Sequence, residues 1–311
     1  MPSLPVVLIS GPTASGKTAV ALALAASVNC RLISVDSSQV YRGLDIGSAK
    51  PSAAEQRLTP HHLIDIREPE DTYSVAGFLT DVDAQIQLAR ADGALPVLVG
   101  GTMLYFNALI NGLAPMPSAN EEVRAAIDAR AQQLGWDALH RHLGTVDPVA
   151  ANRIHPNDPQ RIQRALEVYE LTGTPISTLQ QECVALLAGQ RVVHATLYPD
   201  DRQWLHDRIG RRFDQMLLDG FIDEVIALRQ RPTLTGSHAS MRSVGYRQVW
   251  QHLDGEYNEH EMRERGKAAT RQLAKRQLTW IRSMPEASRY DCKTLNPATI
   301  AMGILEKSQV L

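Results

Sequence analysis

The sequence predicts an α/β fold: a parallel sheet flanked by helices, with an inserted helical subdomain and a helical C-terminal part. Three observations carry this. Short β-rich runs alternate with helical ones through the first third of the 311-residue chain, as strands joined by crossover helices do. The first run, residues 6–9, is wholly apolar and leads into Gly11-Pro12-Thr13-Ala14-Ser15-Gly16-Lys17-Thr18, which fits G-x-x-x-x-G-K-[ST] between a buried strand and a helix. From Ala114-Pro115-Met116-Pro117 onward the texture becomes helical, with Gly and Pro turns.

Taken in order, strands are expected at 6–9, 31–35, 62–66 and 95–99. Helices follow at 121–134, 136–143 and 159–171, with no strand pattern between them. A strand at 191–197 returns to the sheet, and helices are expected at 202–218, 222–229, 243–253 and 259–282. The expected division is a P-loop NTPase-like core with C-terminal helices over 1–115 and 191–311, and a helical insertion over 116–190.

Composition narrows the function classes. The chain is 44% apolar and 21% charged, with a net charge of −2. That charge is unevenly spread: residues 1–120 carry 7 Lys and Arg against 10 Asp and Glu, whereas residues 262–289 carry 8 against 2. A polyanion is therefore expected at the C-terminal end. Cys30, Cys183 and Cys292 stand alone, which argues against a disulfide framework or a cysteine zinc site. No apolar run reaches the ~18 residues of a membrane span, and the start lacks a cationic leader. A soluble cytoplasmic protein is expected.

The Gly11–Thr18 loop is a phosphate cradle: converging backbone N–H groups, a helix N-terminus, the Lys17 charge, and the Thr18 hydroxyl as a Mg²⁺ ligand. Hydrolases and motors normally add a second strand ending in carboxylates that orient metal and water. Here the strand at 95–99 ends in Gly100-Gly101-Thr102, which leaves room for a ligand against the backbone and offers a hydroxyl to an anionic oxygen; a plain strand-to-helix turn is the alternative. The strand at 31–35 does end in a carboxylate, Asp36, where open α/β sheets place their ligands, although Asp also serves as a helix N-cap. Gln39 adds an amide of the kind that reads an adenine edge. An acid-base group beside such an amide points to a nucleobase acceptor.

Arg208 and Arg212, four apart with Arg211 between, can turn a guanidinium toward a pyrophosphate or form a surface ion-pair row. Arg212 is the choice if the helix phase is as expected. Arg242, Gly245, Tyr246 and Arg247 mix cationic, backbone and stacking groups, the vocabulary of single-stranded nucleic acid binding. Arg263, Lys267, Arg271 and Lys275 recur every four residues, as a phosphate-tracking face or a solvated one. The histidines lack metal spacing. A small-molecule P-loop kinase, a nucleotide- or ATP-binding enzyme sharing the loop and sheet, is the competing reading; the missing strand-end carboxylate pair and the basic helix count against it.

With "GPTASGKT", "SVDSSQVYRGLDIGSAKP", "LVGGTMLY", "HPNDPQRIQRALEVYELTG", "MRSVGYRQVW" and "ATRQLAKRQLTWIR" in order, the chain resembles the tRNA dimethylallyltransferases, or tRNA isopentenyltransferases, over residues 5–283. Ser48 stands where the family pattern has Thr, and the absence of a zinc-finger extension fits the bacterial type. The resemblance implies transfer of a dimethylallyl group from dimethylallyl diphosphate to N6 of the adenine 3′ of a tRNA anticodon, with Mg²⁺ at Thr18. It implies Asp36 as general base and Thr102 and Arg212 at the departing diphosphate, which the Gly11–Thr18 loop holds. It further implies tRNA contacts by Asp36, Ser37, Ser38 and Gln39, by Gln160, Arg161, Ile162, Gln163 and Arg164 of the insertion, by Arg242, Ser243, Val244, Gly245, Tyr246 and Arg247, and by Lys275, Arg276 and Arg282. The enzyme is expected to act as a monomer, away from membranes.

Overall fold

The computed structural model describes residues 4–181, 183–284 and 286–310. The chain divides into two compact units, residues 1–107 with 189–311, and residues 108–188. The first unit begins with β1 (Val6–Ser10), α1 (Lys17–Ala25), β2 (Cys30–Val35), α2 (Ala53–Leu58), β3 (His61–His62), α3 (Val75–Ala91) and β4 (Leu95–Gly100), and α4 (Met103–Asn111) leads out of it. The second unit holds α5 (Glu121–Leu134), α6 (Trp136–Val146), α7 (Pro148–Arg153), α8 (Pro159–Thr172) and α9 (Ile176–Leu179). The chain then returns through β5 (Val192–Leu197), α10 (Arg202–Leu218), α11 (Phe221–Arg229), α12 (Tyr246–Leu253), α13 (Glu259–Arg282), β6 (Ser288–Tyr290) and α14 (Pro297–Ser308).

The six strands form one parallel sheet in the order β3-β2-β4-β1-β5-β6. Parallel sheets are covered on both faces, which is why β1 and β4 are buried along their whole length. On one face Val20 and Leu24 of α1 and Ile300 and Ile304 of α14 pack against Val7, Ile9, Val97 and Val99, each such side chain contributing about 1.5–3 kcal/mol of burial. Ser10 pairs with Gly100, and Gly100 with Val35. The C-terminal ends of β1, β4 and β2 are thereby brought side by side, where the strand order reverses and such sheets bind ligands.

Three features differ from the sequence expectation. The strand expected at 62–66 shrinks to His61–His62 because Leu63 and Asp65 take positive φ values of 62° and 56°, which no ladder accommodates. Helices α7, α9 and α14 and strand β6 were not anticipated, whereas α2, α3 and α4 fall in the helical runs expected among the first strands. Helix α12 starts at Tyr246 rather than 243, after Gly245 at φ 93°.

The second unit has its own core of Ile127, Leu143, Ile162, Leu166 and Val168. Within it the fully buried Glu167 accepts hydrogen bonds from Arg124, Arg164 and the Asn120 N–H. Burial pushes its carboxyl up, but these partners outweigh that and hold it below the usual range.

Candidate active site

The phosphate loop turns out of β1 with Ala14 at φ 63° and Gly16 at φ 94°, the latter serving as N-cap of α1. Lys17 Nζ folds back to donate to Gly11 O at 3.0 Å and Pro12 O at 2.8 Å. Burial, then the nearby Arg212 guanidinium, lower its pKa to about 8, against the opposing pull of Asp36. Arg208 Nε donates to Ala14 O at 2.8 Å, and its guanidinium lies over the Trp204 ring. Of the arginines on α10, Arg208 is thus committed to the loop backbone, whereas Arg212 interacts with the Asp36 charge.

Asp36 follows β2. Its Oδ1 accepts from Ser38 N at 2.8 Å and Gln39 N at 3.3 Å, while Oδ2 takes no hydrogen bond from the described residues. The capping and acid-base readings of Asp36 therefore coexist on its two oxygens. Burial raises its pKa, opposed by those two N–H groups, Lys17 and Arg212. A carboxylate so raised is a stronger base than a solvated one.

Lys17, Asp36 and Arg212 line one cavity of about 660 Å³, together with Thr18, Gln39, Arg211 and the apolar Phe213, Met216, Phe221 and Leu273. One part of its wall is the segment 47–51. That segment is held by Glu224, which accepts from Asp45, Ile46 and Gly47 N–H at 3.1, 2.6 and 3.2 Å and from Tyr246 OH at 2.6 Å. The cavity combines a cationic, N–H-rich end for an anion, a carboxylate beside it, and apolar surface for a hydrocarbon.

Several of the expected site residues already have partners within the protein. Thr102 is not among the lining residues; its Oγ1 accepts from Ser37 N at 3.0 Å and donates to Ser37 Oγ at 3.3 Å, bracing the turn that carries Asp36. A role toward a departing anion requires its hydroxyl hydrogen to turn away from Ser37 Oγ, while Oγ1 goes on accepting from Ser37 N. Gly100 and Gly101 do border the cavity, but a Cβ on Gly100 would lie 2.0 Å from Val35 O, so backbone packing, before any ligand, requires that glycine, while one on Gly101 would displace the Gln277 amide at 2.7 Å. Gln39 receives Ser34 Oγ at 3.0 Å and points its NH₂ at Ser48 O and Ala49 O, which leaves its amide tied to the cavity wall.

Among the expected RNA contacts, Tyr246 is fully buried with its hydroxyl on Glu224, so it offers no stacking face. Gly245 is buried beneath the same turn, its N–H on Gln248 Oε1, and Val244 is half-buried at the cavity rim. Ile162 is likewise sealed in the core of the second unit, Arg164 is held by Glu167 and Pro117 O, and Gln163 by Asp128. Gln160, Arg161, Arg242, Arg247, Lys275, Arg276 and Arg282 are exposed, and Ser37 with them. Ser38 Oγ donates to Ser243 Oγ at 3.1 Å, joining the Asp36 turn to the 242–247 segment. The basic row on α13 is split: Arg263 and Lys267 both pair with Asp214 of α10, an acid supplied across the helix pair.

The sequence reading misses Glu224 and Gln277. Gln277 accepts from Thr13 N at 2.9 Å and donates to Gly101 O at 2.8 Å. Its signal was available: it stands in the apolar stripe of α13 with Ala274, Leu278 and Ile281, where a polar residue needs a reason. Glu224 had no such signal.

Residues 39–284 match the IPP transferase family. The chain is 54% identical over 300 residues to a tRNA dimethylallyltransferase of Albidiferax ferrireducens, covering 91% of this chain and 85% of that protein. Its fold is similar to the crystal structure of the full-length tRNA isopentenylpyrophosphate transferase of Bacillus halodurans, with TM-score 0.70, 38% identity and 98% of each chain covered. It is also similar to a eukaryotic dimethylallyltransferase captured acting on tRNA, with TM-score 0.77, 27% identity, and 93% of this chain and 74% of that one covered.

Proposed function

From the premise that this chain belongs to the IPP transferase family and is a tRNA dimethylallyltransferase, we propose the following division of labour for its transfer of a dimethylallyl group from dimethylallyl diphosphate to N6 of the adenine 3′ of the anticodon. The observation that carries it is the meeting of Lys17, Arg212 and Asp36 in one cavity with apolar walls. The diphosphate sits at the Gly11–Thr18 loop, and the hydrocarbon lies along the apolar surface. The adenine leaves the anticodon-loop stack, at a cost of roughly a few kcal/mol, and presents N6 to Asp36.

The N6–C1 bond forms as the C1–O bond breaks. The bond's electron pair stays on the diphosphate oxygen, and Asp36 Oδ2 takes the N6 proton. Lys17, Arg212 and the loop N–H groups stabilise the departing anion where its charge develops. No P–O bond breaks, which accounts for the lack of a water-orienting carboxylate at the end of β4.

No cluster of three or more His, Cys, Asp or Glu side chains among the described residues is arranged for a metal ion. The Thr18 hydroxyl, beside Lys17 on the cavity lining, is a hard oxygen of the kind that would hold Mg²⁺. Mg²⁺ held there would neutralise leaving-group charge. The exposed Lys275, Arg276, Arg282, Arg242 and Arg247 contact RNA phosphates, and Gln160 and Arg161 of the helical unit contact the anticodon stem-loop. No helix among the described residues is long and apolar enough to cross a membrane. The protein acts as a cytoplasmic monomer in this reading.

The test incubates the protein with labelled dimethylallyl diphosphate, Mg²⁺ and an unmodified anticodon stem-loop. Label on N6 of the expected adenine supports the reading. Label elsewhere, or none with ATP turnover in its place, refutes it.

A further inference from the structure

Gln277 joins two loops that the sheet alone leaves independent. The phosphate loop follows β1 and the Gly100-Gly101 turn ends β4; the strands are neighbours, but their hydrogen bonds stop at the Ser10–Gly100 pair. Beyond that pair the Gln277 amide bridges them, receiving Thr13 N–H on Oε1 and giving Nε2–H to Gly101 O. Gln277 is 6% exposed; its bond to Gly101 O is fully buried and its bond to Thr13 N–H partly so, and losing a buried partner is costly. A Cβ built on Gly101 would lie 2.7 Å from Gln277 Nε2 and 3.7 Å from Lys17 Nζ, which puts the bridge beside the ammonium that holds the loop carbonyls. The contact is reinforced by Ala274 and Leu278, which pack with Ala14 of the loop in one apolar cluster.

In the same helical turn Lys275, across the helix from Gln277, and Arg276, on its flank, are exposed. The helix that presents cations to RNA therefore carries, between them and the loop, a residue bonded to the loop backbone.

We infer that Gln277 is a positioning residue: it holds the phosphate loop against the end of β4 in the form that binds diphosphate, and it makes that form depend on the placement of the RNA-docking helix. This rests on the function proposed above for its RNA arm, but the loop arm stands without it. Gln277 borders the substrate cavity, but both of its amide bonds go to the protein, so it acts through Thr13 and Gly101.

Three variants test it in the full chain. Gln277→Ala removes the bridge, Gln277→Met removes it while keeping volume, and Gln277→Glu keeps the acceptor for Thr13 but loses the donor to Gly101 at neutral pH. Inorganic pyrophosphate with Mg²⁺ is titrated with and without the anticodon stem-loop, RNA affinity is measured separately, and transfer is followed from pH 6 to 9. Gln277→Ala and Gln277→Met are expected to weaken pyrophosphate binding by about tenfold or more, as two buried main-chain groups lose partners. RNA affinity should stay within about twofold, and the stem-loop should no longer alter pyrophosphate affinity.

For Gln277→Glu the ratio of its transfer rate to wild type should rise as pH falls, because a protonated carboxyl donates to Gly101 O as the amide does. Wild-type pyrophosphate affinity in both bridge-less variants, an unchanged effect of RNA on it, or a pH-independent rate ratio for Gln277→Glu would each overturn the inference. A wild-type protein that binds pyrophosphate but labels no RNA would instead refute the proposed function and leave the loop arm intact.

Discussion

Asp36→Asn separates the turn-holding job of this side chain from the acid-base job proposed for it. The carboxamide oxygen can still accept from Ser38 N and Gln39 N, the bonds that Oδ1 makes at 2.8 and 3.3 Å, so the turn survives. What disappears is the proton acceptor on the second oxygen and the negative charge facing Lys17 and Arg212. A general base contributes about 10²–10⁴-fold, and that is the expected fall in the single-turnover rate at saturating dimethylallyl diphosphate and RNA.

Folding stability should move by less than about 1 kcal/mol, because relief of a buried charge offsets the lost attraction to the two cations. Asp36→Ala should match the rate loss and add about 1–3 kcal/mol of destabilisation as the two N–H groups lose their acceptor. The assays are rapid-quench label transfer to the stem-loop and urea unfolding of each variant. If Asp36→Asn kept more than a tenth of the wild-type rate while Asp36→Ala lost far more, the turn and not the proton transfer would be the function of this residue.

The Lys17 ammonium, lowered to about 8 by burial and Arg212, is charged below that pH and neutral above it. kcat/KM for dimethylallyl diphosphate should accordingly fall as pH rises through about 8, since this parameter reports the free enzyme; a flat profile to pH 9.5 would show that the loop does not rely on the lysine charge. On the acid side, the raised Asp36 pKa predicts a fall in rate as the carboxylate protonates, and Asp36→Asn should lack that limb. Lys275→Ala should weaken stem-loop binding and reduce its log–log salt slope by about 0.7–0.9, whereas Arg263→Ala should leave the slope unchanged because Arg263 is held by Asp214; equal effects would contradict that pairing in solution. Gly100→Ala places a Cβ 2.0 Å from Val35 O and should cost about 3 kcal/mol or more in urea unfolding; a neutral result would mean that β2 and β4 can separate at their ends.

Much of the sheet was legible because its signals are local. The strands β1 and β4 are near-continuous apolar runs, the pattern of strands covered on both faces; β2 carries Leu32, Ile33 and Val35 into the core despite Arg31 and Ser34, and the phosphate loop is a contiguous motif. The long helices α10 and α13 begin at Asp201 and Asn258, whose side chains cap the first turn, a feature visible one residue ahead of each helix. Strand β3 was overdrawn because left-handed residues at 63 and 65 are not marked by Gly or Asn. Strand β6, three residues long, has too little length to carry a period.

Residue chemistry by itself pointed to an anion site at Gly11–Thr18, placed Asp36 at the end of a strand, and showed no carboxylate pair at the end of the 95–99 strand. Sequence order with the later blocks determined the family. Only the tertiary structure decided which groups are free to act. It committed Arg208 to Ala14 O, Thr102 to Ser37, Tyr246 to Glu224, and Arg263 and Lys267 to Asp214, and it left Asp36 Oδ2 without a donor among the described residues. The reason is physical: what a polar side chain can do depends on which of its hydrogen bonds are already made, and the partners here lie tens to hundreds of residues away in the chain. The spacing of residues along one helix fixes a face, but the element packed against that face decides whether its charges are spent or available.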